Sequence, residues 1–275
     1  MDIRAIALDL DGSTLNRQSR LSEGNRRALE YAISRGIHVI VASGRAFFTL
    51  PQDVVNIAGI EYAVCSNGAA VCRVPDGKVL MRTSLPEGSA ERILAMSRGP
   101  LVTYEAFVES AAYADADYIR NPEAYGAYGP SIEYLQTTRR PIDGIEDFIL
   151  ENRDRLDSID VICWDPEKTA AMGERFRREL PEVYLTSSST HRLEFSHPLS
   201  GKRAGVSWVL ERLGISPKHL AAFGDGDNDA ELLSFAGCGI AVANATPACL
   251  AAADYVSKDN DEDAIAYAFH EILRL

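Results

Sequence analysis

The sequence predicts an α/β fold: a parallel-sheet core interrupted by an inserted α+β unit. Short apolar runs at 3–8, 37–42 and 61–65 alternate with helical patterns and polar turns. The same alternation resumes at Lys202 after a stretch, 85–190, with a different mixture of patterns. Strand–helix–strand alternation builds parallel sheets, and a change of pattern inside it marks an insertion.

Each element has a local cause. Residues 3–8 (IRAIAL) are almost continuously apolar, as suits a strand buried on both faces. Asp9 to Asn16 is a polar loop. Ser22 can cap a helix that runs to Arg35 and stops at Gly36. Residues 37–42 (IHVIVA) form a second strand, followed by Ser43-Gly44-Arg45 and a further helix-like stretch. Residues 61–65 (EYAVC) form a third, followed by Ser66-Asn67-Gly68. Pro75-Asp76-Gly77 then signals a hairpin.

In the middle, helical patterns fall at 87–98, 144–156 and 166–180, and strand-like runs at 101–108, 158–164, 182–187 and 191–196. The tyrosine-rich stretch 112–135 reads as irregular. A helix over 202–213 ends at Gly214, and a strand over 219–223 leads into Asp225. A helix closes the chain. The expected division is a core of 1–84 and 190–275 with an insert of 85–189.

Forty Asp+Glu against 28 Lys+Arg give a formal charge of −12, which argues against a nucleic-acid partner or an anionic membrane surface. Residues 219–273 hold most of the excess. Within them Asp225, Asp227 and Asp229 are expected to surround a metal. Asp259, Asp261, Glu262 and Asp263 are expected to favour the start of the last helix through its dipole. Cys65, Cys72, Cys163, Cys238 and Cys249 never form a CxxC pair, so buried reduced thiols are expected. No basic leader with a long apolar core follows Met1, and no apolar run is long enough for a membrane span. A cytoplasmic protein is expected. No interface signature stands out, so a monomer or weak homo-oligomer is expected. Asn244-Ala245-Thr246 is taken as a chance sequon.

Four clusters carry chemistry. Asp9 and Asp11 end the first strand, and strand alternation would send both to one side. Two close carboxylates repel unless one keeps a proton or a cation sits between them. Ser43 with the open backbone of Gly44 offers a hydroxyl and an amide to an anion. Lys202 opens a helix and supplies a fixed positive charge. Asp225, Asp227, Asn228 and Asp229 crowd hard oxygen donors at a strand–helix junction, as suits Mg²⁺.

Competing motifs fail. Arg203 stands where a P-loop needs Ser or Thr, and Ala230 and Ala236 where a calcium loop needs Gly and Glu. There is no Cys-x5-Arg, Arg-His-Gly, His-Glu-x-x-His or Gly-x-Ser-x-Gly.

In this order, ALDLDGSTLN, VASGR, the lysine of SGKRAG, and GDGDNDAELL resemble the four motifs of the haloacid dehalogenase-like superfamily. CSNGA, RLEFSHPLSGK, GIAVANATP and ADYVSKDNDEDAIA are similar to its Cof-type subgroup. The resemblance implies a Rossmann-like core with a type 2B cap that selects the substrate. It implies a phosphatase of small phosphorylated metabolites, sugar phosphates by default. Asp9 would be the nucleophile and Asp11 the acid/base. Ser43 and Lys202 would hold the transferring phosphoryl group. Asp9, the Asp11 carbonyl, Asp225 and Asp229 would hold or order Mg²⁺. Gly12, Gly44, Arg45, Asn67 and Asn228 are assigned to phosphate binding. A phosphosugar mutase or a phosphatase of a phosphorylated cofactor or flavin precursor would use similar parts. The sequence departs from the usual pattern at Ser13, Thr14, Ser43 (which keeps the hydroxyl of the commoner Thr) and Arg203, which bears on fine geometry rather than on any charged group.

Overall fold

The computed structural model describes residues 1–275, except the side chain of Pro130. The chain divides into two compact units, Met1–Met81 with Gly201–Leu275, and Arg82–Ser200.

The first unit is built on an eight-stranded sheet. Its strands are β1 (Ala5–Leu8), β2 (His38–Ala42), β3 (Tyr62–Cys65), β4 (Ala70–Arg73), β5 (Lys78–Arg82), β12 (Leu220–Gly224), β13 (Cys238–Ala241) and β14 (Tyr255–Val256). Their order is β14-β13-β12-β1-β2-β3-β4-β5. The run from β14 to β3 is parallel, and β4 returns antiparallel to β3.

Side chains on these strands alternate between two buried layers. Ile6, Leu8, Val39, Val41, Ala221 and Phe223 pack on one face with Leu29, Ala32, Ile265 and Phe269. Ala5, Ala7, Ile40, Ala42, Leu220 and Ala222 pack on the other with Val206, Val209, Leu210, Leu232 and Leu233. Helices cover both faces, which explains why the strands read as unbroken apolar runs.

The helix Glu23–Ser34 starts where Ser22 accepts a hydrogen bond from the Asn25 amide. The helix Lys202–Leu213 stops at Gly214, which takes the left-handed conformation at φ 68°. The chain leaves β1 toward β2 and β3 on one side, and later fills β12 to β14 on the other. The switch point between β1 and β12 is where open α/β sheets place ligands.

The second unit has a six-stranded sheet. Its strands are β6 (Val102–Val108), β7 (Ala111–Asp115), β8 (Arg140–Ile142), β9 (Leu156–Cys163), β10 (Tyr184–Thr186) and β11 (Arg192–Ser196), ordered β10-β11-β9-β6-β7-β8. Ile93, Leu94, Ile145, Ile149 and Phe176, from helices, pack with Tyr104, Ala106, Ile159, Val161, Leu193 and Phe195 on one face of it.

Two sequence expectations need correction. Residues 190–200, assigned to the core from sequence, belong to the second unit, because β11 pairs between β9 and β10. The stretch 112–135 is ordered. It holds most of β7, the helix Ala116–Arg120, a 3-10 turn at Pro122–Tyr125 and the start of the helix Pro130–Thr138. The parallel pairing of β7 with β8 requires this crossover. Among the described residues no helix is long and apolar enough to cross a membrane.

Candidate active site

Asp9 follows β1, Ser43 follows β2, Asn67 closely follows β3 and Asp225 follows β12. The register sets Leu8 beside both Val41 and Phe223, and Ala42 beside Val64. Because these strands are parallel, all four residues leave the sheet at one edge. The Asp9 amide donates to the Phe223 carbonyl at 3.1 Å, and the Ser43 amide to the Val64 carbonyl at 2.9 Å.

Three carboxylates converge there. One oxygen each from Asp9, Asp225 and Asp229 lies within 4.8 Å of the others. Lys202 faces them. Its Nζ donates to Asp9 Oδ1 at 2.6 Å and to Asp229 Oδ1 at 2.7 Å. A lysine at a helix start is ordinarily solvated, but this one is only 2% exposed. The start of its helix is tied to the sheet edge, since the Gly201 amide donates to the Asn67 carbonyl at 2.7 Å.

The ionisable groups respond to this crowding. Burial pushes the Asp9 carboxyl well above its ordinary range, Lys202 pulls it down, and Asp229 and Asp225 push it up again. Burial raises Asp225 to about 6, and the charge of Asp229 adds to the effect. Burial alone would lower Lys202, but the charges of Asp229 and Asp9 outweigh it and raise its pKa.

These residues suit a divalent cation. Asp9 Oδ2 is buried and has no hydrogen-bond partner. All three donors are hard carboxylate oxygens, as Mg²⁺ prefers. The turn after Asp9 leaves Asp225 room. Gly12 sits at φ +79°, and a Cβ there would lie 2.3 Å from Asp225 Oδ2. An oxygen-rich cluster of this kind, backed by a fixed lysine, can offset the charge of a phosphate beside a carboxylate.

The remaining predicted residues lie around this centre in distinct settings. Asp11 does not follow strand alternation, because β1 ends at Leu8 and Asp11 sits in a turn. Its carboxylate is half exposed and pairs with Arg45 rather than joining the cluster. Ser43 is buried, and its Oγ accepts the Arg45 amide at 3.1 Å. Asn228 Nδ2 donates to Asn67 Oδ1 at 3.0 Å. Gly44 lies beside that Asn67 amide group, with room for a Cβ only at 3.3 Å.

Asp227, expected beside the metal, is exposed and accepts from Thr246 Oγ1 at 2.7 Å. In the 3-10 turn Asp227–Asp229 it lies outside the group that Asp9, Asp225 and Asp229 form. Asp229 Oδ2 instead ties that turn by accepting the Asp225 and Gly226 amides at 3.1 and 3.0 Å.

Several supporting residues had no role assigned from sequence, Ser13 and Thr14 being noted only as departures from the usual pattern. Ser13 Oγ donates to Asp225 Oδ1 at 3.0 Å, and Thr14 Oγ1 to the Asp9 carbonyl at 2.5 Å. Asn244 Nδ2 donates to the Gly12 carbonyl at 2.8 Å, and the Thr246 amide to the Asp225 carbonyl at 2.8 Å. Asn244 and Thr246 are the two polar positions of the apparent sequon. Their signal was the GIAVANATP motif around them.

The family model for haloacid dehalogenase-like hydrolases matches residues 6–269. The chain belongs to that family. It is 30% identical to Phosphatase YwpJ of Bacillus subtilis (strain 168), over 98% of this chain and all of that protein. It is 25% identical to the 5-amino-6-(5-phospho-D-ribitylamino)uracil phosphatase YwtE of the same organism, over 98% of each chain. A solved haloacid dehalogenase-like hydrolase from B. subtilis superposes with a TM-score of 0.83 at 28% identity, covering 98% of this chain and 100% of that one. The protein is a haloacid dehalogenase-like phosphoric monoester hydrolase.

Proposed function

We propose that this hydrolase acts on small phosphorylated metabolites, sugar phosphates foremost, through an aspartyl-phosphate at Asp9. The second unit then serves as a substrate-selecting cap of the type 2B, Cof-type kind. One observation carries the reading: Lys202, Asp225 and Asp229 converge on Asp9, whose Oδ2 is buried without a hydrogen bond.

Lys202 occupies Oδ1, so Oδ2 is the oxygen with unused lone pairs. In the first step an Asp9 oxygen bonds to phosphorus as the bond to the leaving oxygen breaks. Asp11 gives that oxygen a proton. In the second step water attacks phosphorus, passes a proton to Asp11, and frees the Asp9 carboxylate and inorganic phosphate. Two such steps are each easier than direct hydrolysis. Asp9, Asp225 and Asp229, with the Asp11 carbonyl, would hold Mg²⁺, which when bound offsets the repulsion between carboxylate and phosphate. Lys202 adds a second, permanent positive charge. Ser43, Gly12, Gly44, Asn67 and Asn228 would bind the phosphoryl oxygens.

A second substrate reading, a phosphorylated flavin precursor, is favoured by the likeness to YwtE. The test is phosphate release with Mg²⁺ from a panel of sugar phosphates and 5-amino-6-(5-phospho-D-ribitylamino)uracil. Free phosphate from a panel member, lost on chelation and in Asp9→Asn, is expected. Turnover retained by Asp9→Asn sinks the proposal. So does conversion of a sugar bisphosphate without free phosphate, which marks a mutase.

A further inference from the structure

Arg45 has the charge of a phosphate ligand, but its guanidinium is engaged elsewhere. Nε donates to Asp11 Oδ2 at 2.7 Å and Nη2 to Asp11 Oδ1 at 2.5 Å. This fork-on-fork pairing fixes the plane of a carboxylate as well as its position. Nη1 donates to the Thr49 carbonyl at 3.1 Å, and the Arg45 amide donates to Ser43 Oγ at 3.1 Å. Both ends of the arginine are thus held by the chain.

The pair is asymmetric. The Arg45 side chain is 8% exposed and that of Asp11 50%. Asp11 lies in a non-helical turn at φ −75°, ψ 122°, next to Gly12 at φ 79°. At half exposure the Asp11 carboxylate has little packing to orient it, so the arginine sets its direction. We infer that Arg45 is a positioning residue, which aims the Asp11 carboxylate at the leaving-group oxygen, and is not a phosphate ligand. The inference rests on the roles proposed for Asp9 and Asp11. Lysine would be a poor substitute, since a point charge cannot grip both oxygens in one plane.

Two esters separate the roles. An alkyl phosphate needs its leaving oxygen protonated. p-Nitrophenyl phosphate expels the stable p-nitrophenolate anion and does not. Arg45→Lys and Arg45→Met are compared with the unaltered protein by kcat/KM, which reports steps up to aspartyl-phosphate formation. On the alkyl ester a loss of about 10²- to 10⁴-fold is expected, the range of general acid catalysis. On p-nitrophenyl phosphate the change should stay within a few-fold, and inhibition by inorganic phosphate should be unchanged. In an Asp11→Asn background, Arg45→Lys should add no further loss on the alkyl ester, as expected of two residues acting as one unit.

Equal losses on both esters with weakened phosphate inhibition would assign Arg45 to phosphate and overturn the inference. Independent losses in the double variant would do the same. Either result leaves the Asp9 mechanism standing. Turnover in Asp9→Asn removes that mechanism itself. Circular dichroism of Arg45→Lys confirms that the compared proteins are folded.

Discussion

Lys202 Nζ lies 2.7 Å from Asp229 Oδ1, joining the first residue of one helix to the turn beyond β12. The same nitrogen holds Asp9, and all three side chains are buried. A single cation therefore supports two buried carboxylates. Removing one member of such a group leaves charge without compensation, at a cost of about 3–5 kcal/mol. Lys202→Met should lower the urea-unfolding free energy by roughly that amount in chelator. Added Mg²⁺ should recover part of it. A loss below about 1 kcal/mol would contradict the buried pairing.

Gly12→Ala tests the room left for Asp225. A Cβ at φ +79° and 2.3 Å from Asp225 Oδ2 forces the carboxylate or the turn to move. The Mg²⁺ concentration for half-maximal activity should rise well above that of the unaltered protein. The backbone strain should cost about 1–2 kcal/mol in unfolding free energy. An unchanged Mg²⁺ requirement would show that Asp225 does not bind the ion from this position.

The second unit has its own charged centre. Glu105, Asp160 and Glu194 lie directly opposite one another on β6, β9 and β11, and all three are buried. Arg192 Nη1 bridges Glu105 at 3.0 Å and Asp160 at 2.5 Å, and Arg139 pairs with Glu105 at 2.6 Å. Burial would raise Glu105, but Arg139 and Arg192 outweigh it and hold the carboxyl at about 2. Burial raises Asp160 to about 8 against the pull of Arg192. Arg192→Met should destabilise the protein by about 3–5 kcal/mol, since the buried Glu105 and Asp160 lose the cation that bridges them. Adding Glu105→Gln should restore part of the loss in the same urea titration. A double variant less stable than Arg192→Met would count against this account.

Asp157 gives a pH signature. Burial pushes its carboxyl from the ordinary 3.8 up to about 6; the Ser110 amide and Arg82 pull down, and Glu109 pushes up. Between these values the folded chain keeps a proton that the unfolded chain has lost. This group's contribution therefore falls as pH rises from about 4 to 6 and is level on either side. At 1.36 kcal/mol per pH unit the span is about 2–3 kcal/mol. Asp157→Asn has no carboxyl to titrate, so its unfolding free energy should lack that decline. Parallel stability curves for the two proteins between pH 4 and 6 would refute the assignment.

Legibility in the sequence followed the range of the forces involved. The Ser22 cap and the Gly214 stop are local hydrogen-bonding and backbone effects, and the helices they bound stand where the sequence sets them. The tyrosine-rich stretch was opaque because its helices are short and only the β7–β8 crossover explains them. The acidic tail has partners that lie far away in sequence. Asp259 and Asp261, ahead of the last helix, hold Arg17: Asp259 Oδ2 lies 3.2 Å from Arg17 Nη2, and Asp261 Oδ1 accepts the Arg17 amide at 2.9 Å. Asp263 adopts φ 51° at that helix start and makes no capping hydrogen bond. A charge pattern reveals neither of these partners.

By itself the sequence determined the alternating strands and helices, the polar turns that follow the strands, and the surplus of hard oxygen donors. These depend on neighbours a few residues apart. Only the tertiary structure decided which carboxylates meet. Asp225 and Asp229 join Asp9, Asp227 turns to Thr246, and Asp11 turns to Arg45. The same is true of Lys202, whose burial follows from a contact across 193 positions of chain. Parallel pairing of β1 with β2 and β12 brings these distant turns to one edge, and packing on both faces of the sheet holds them there.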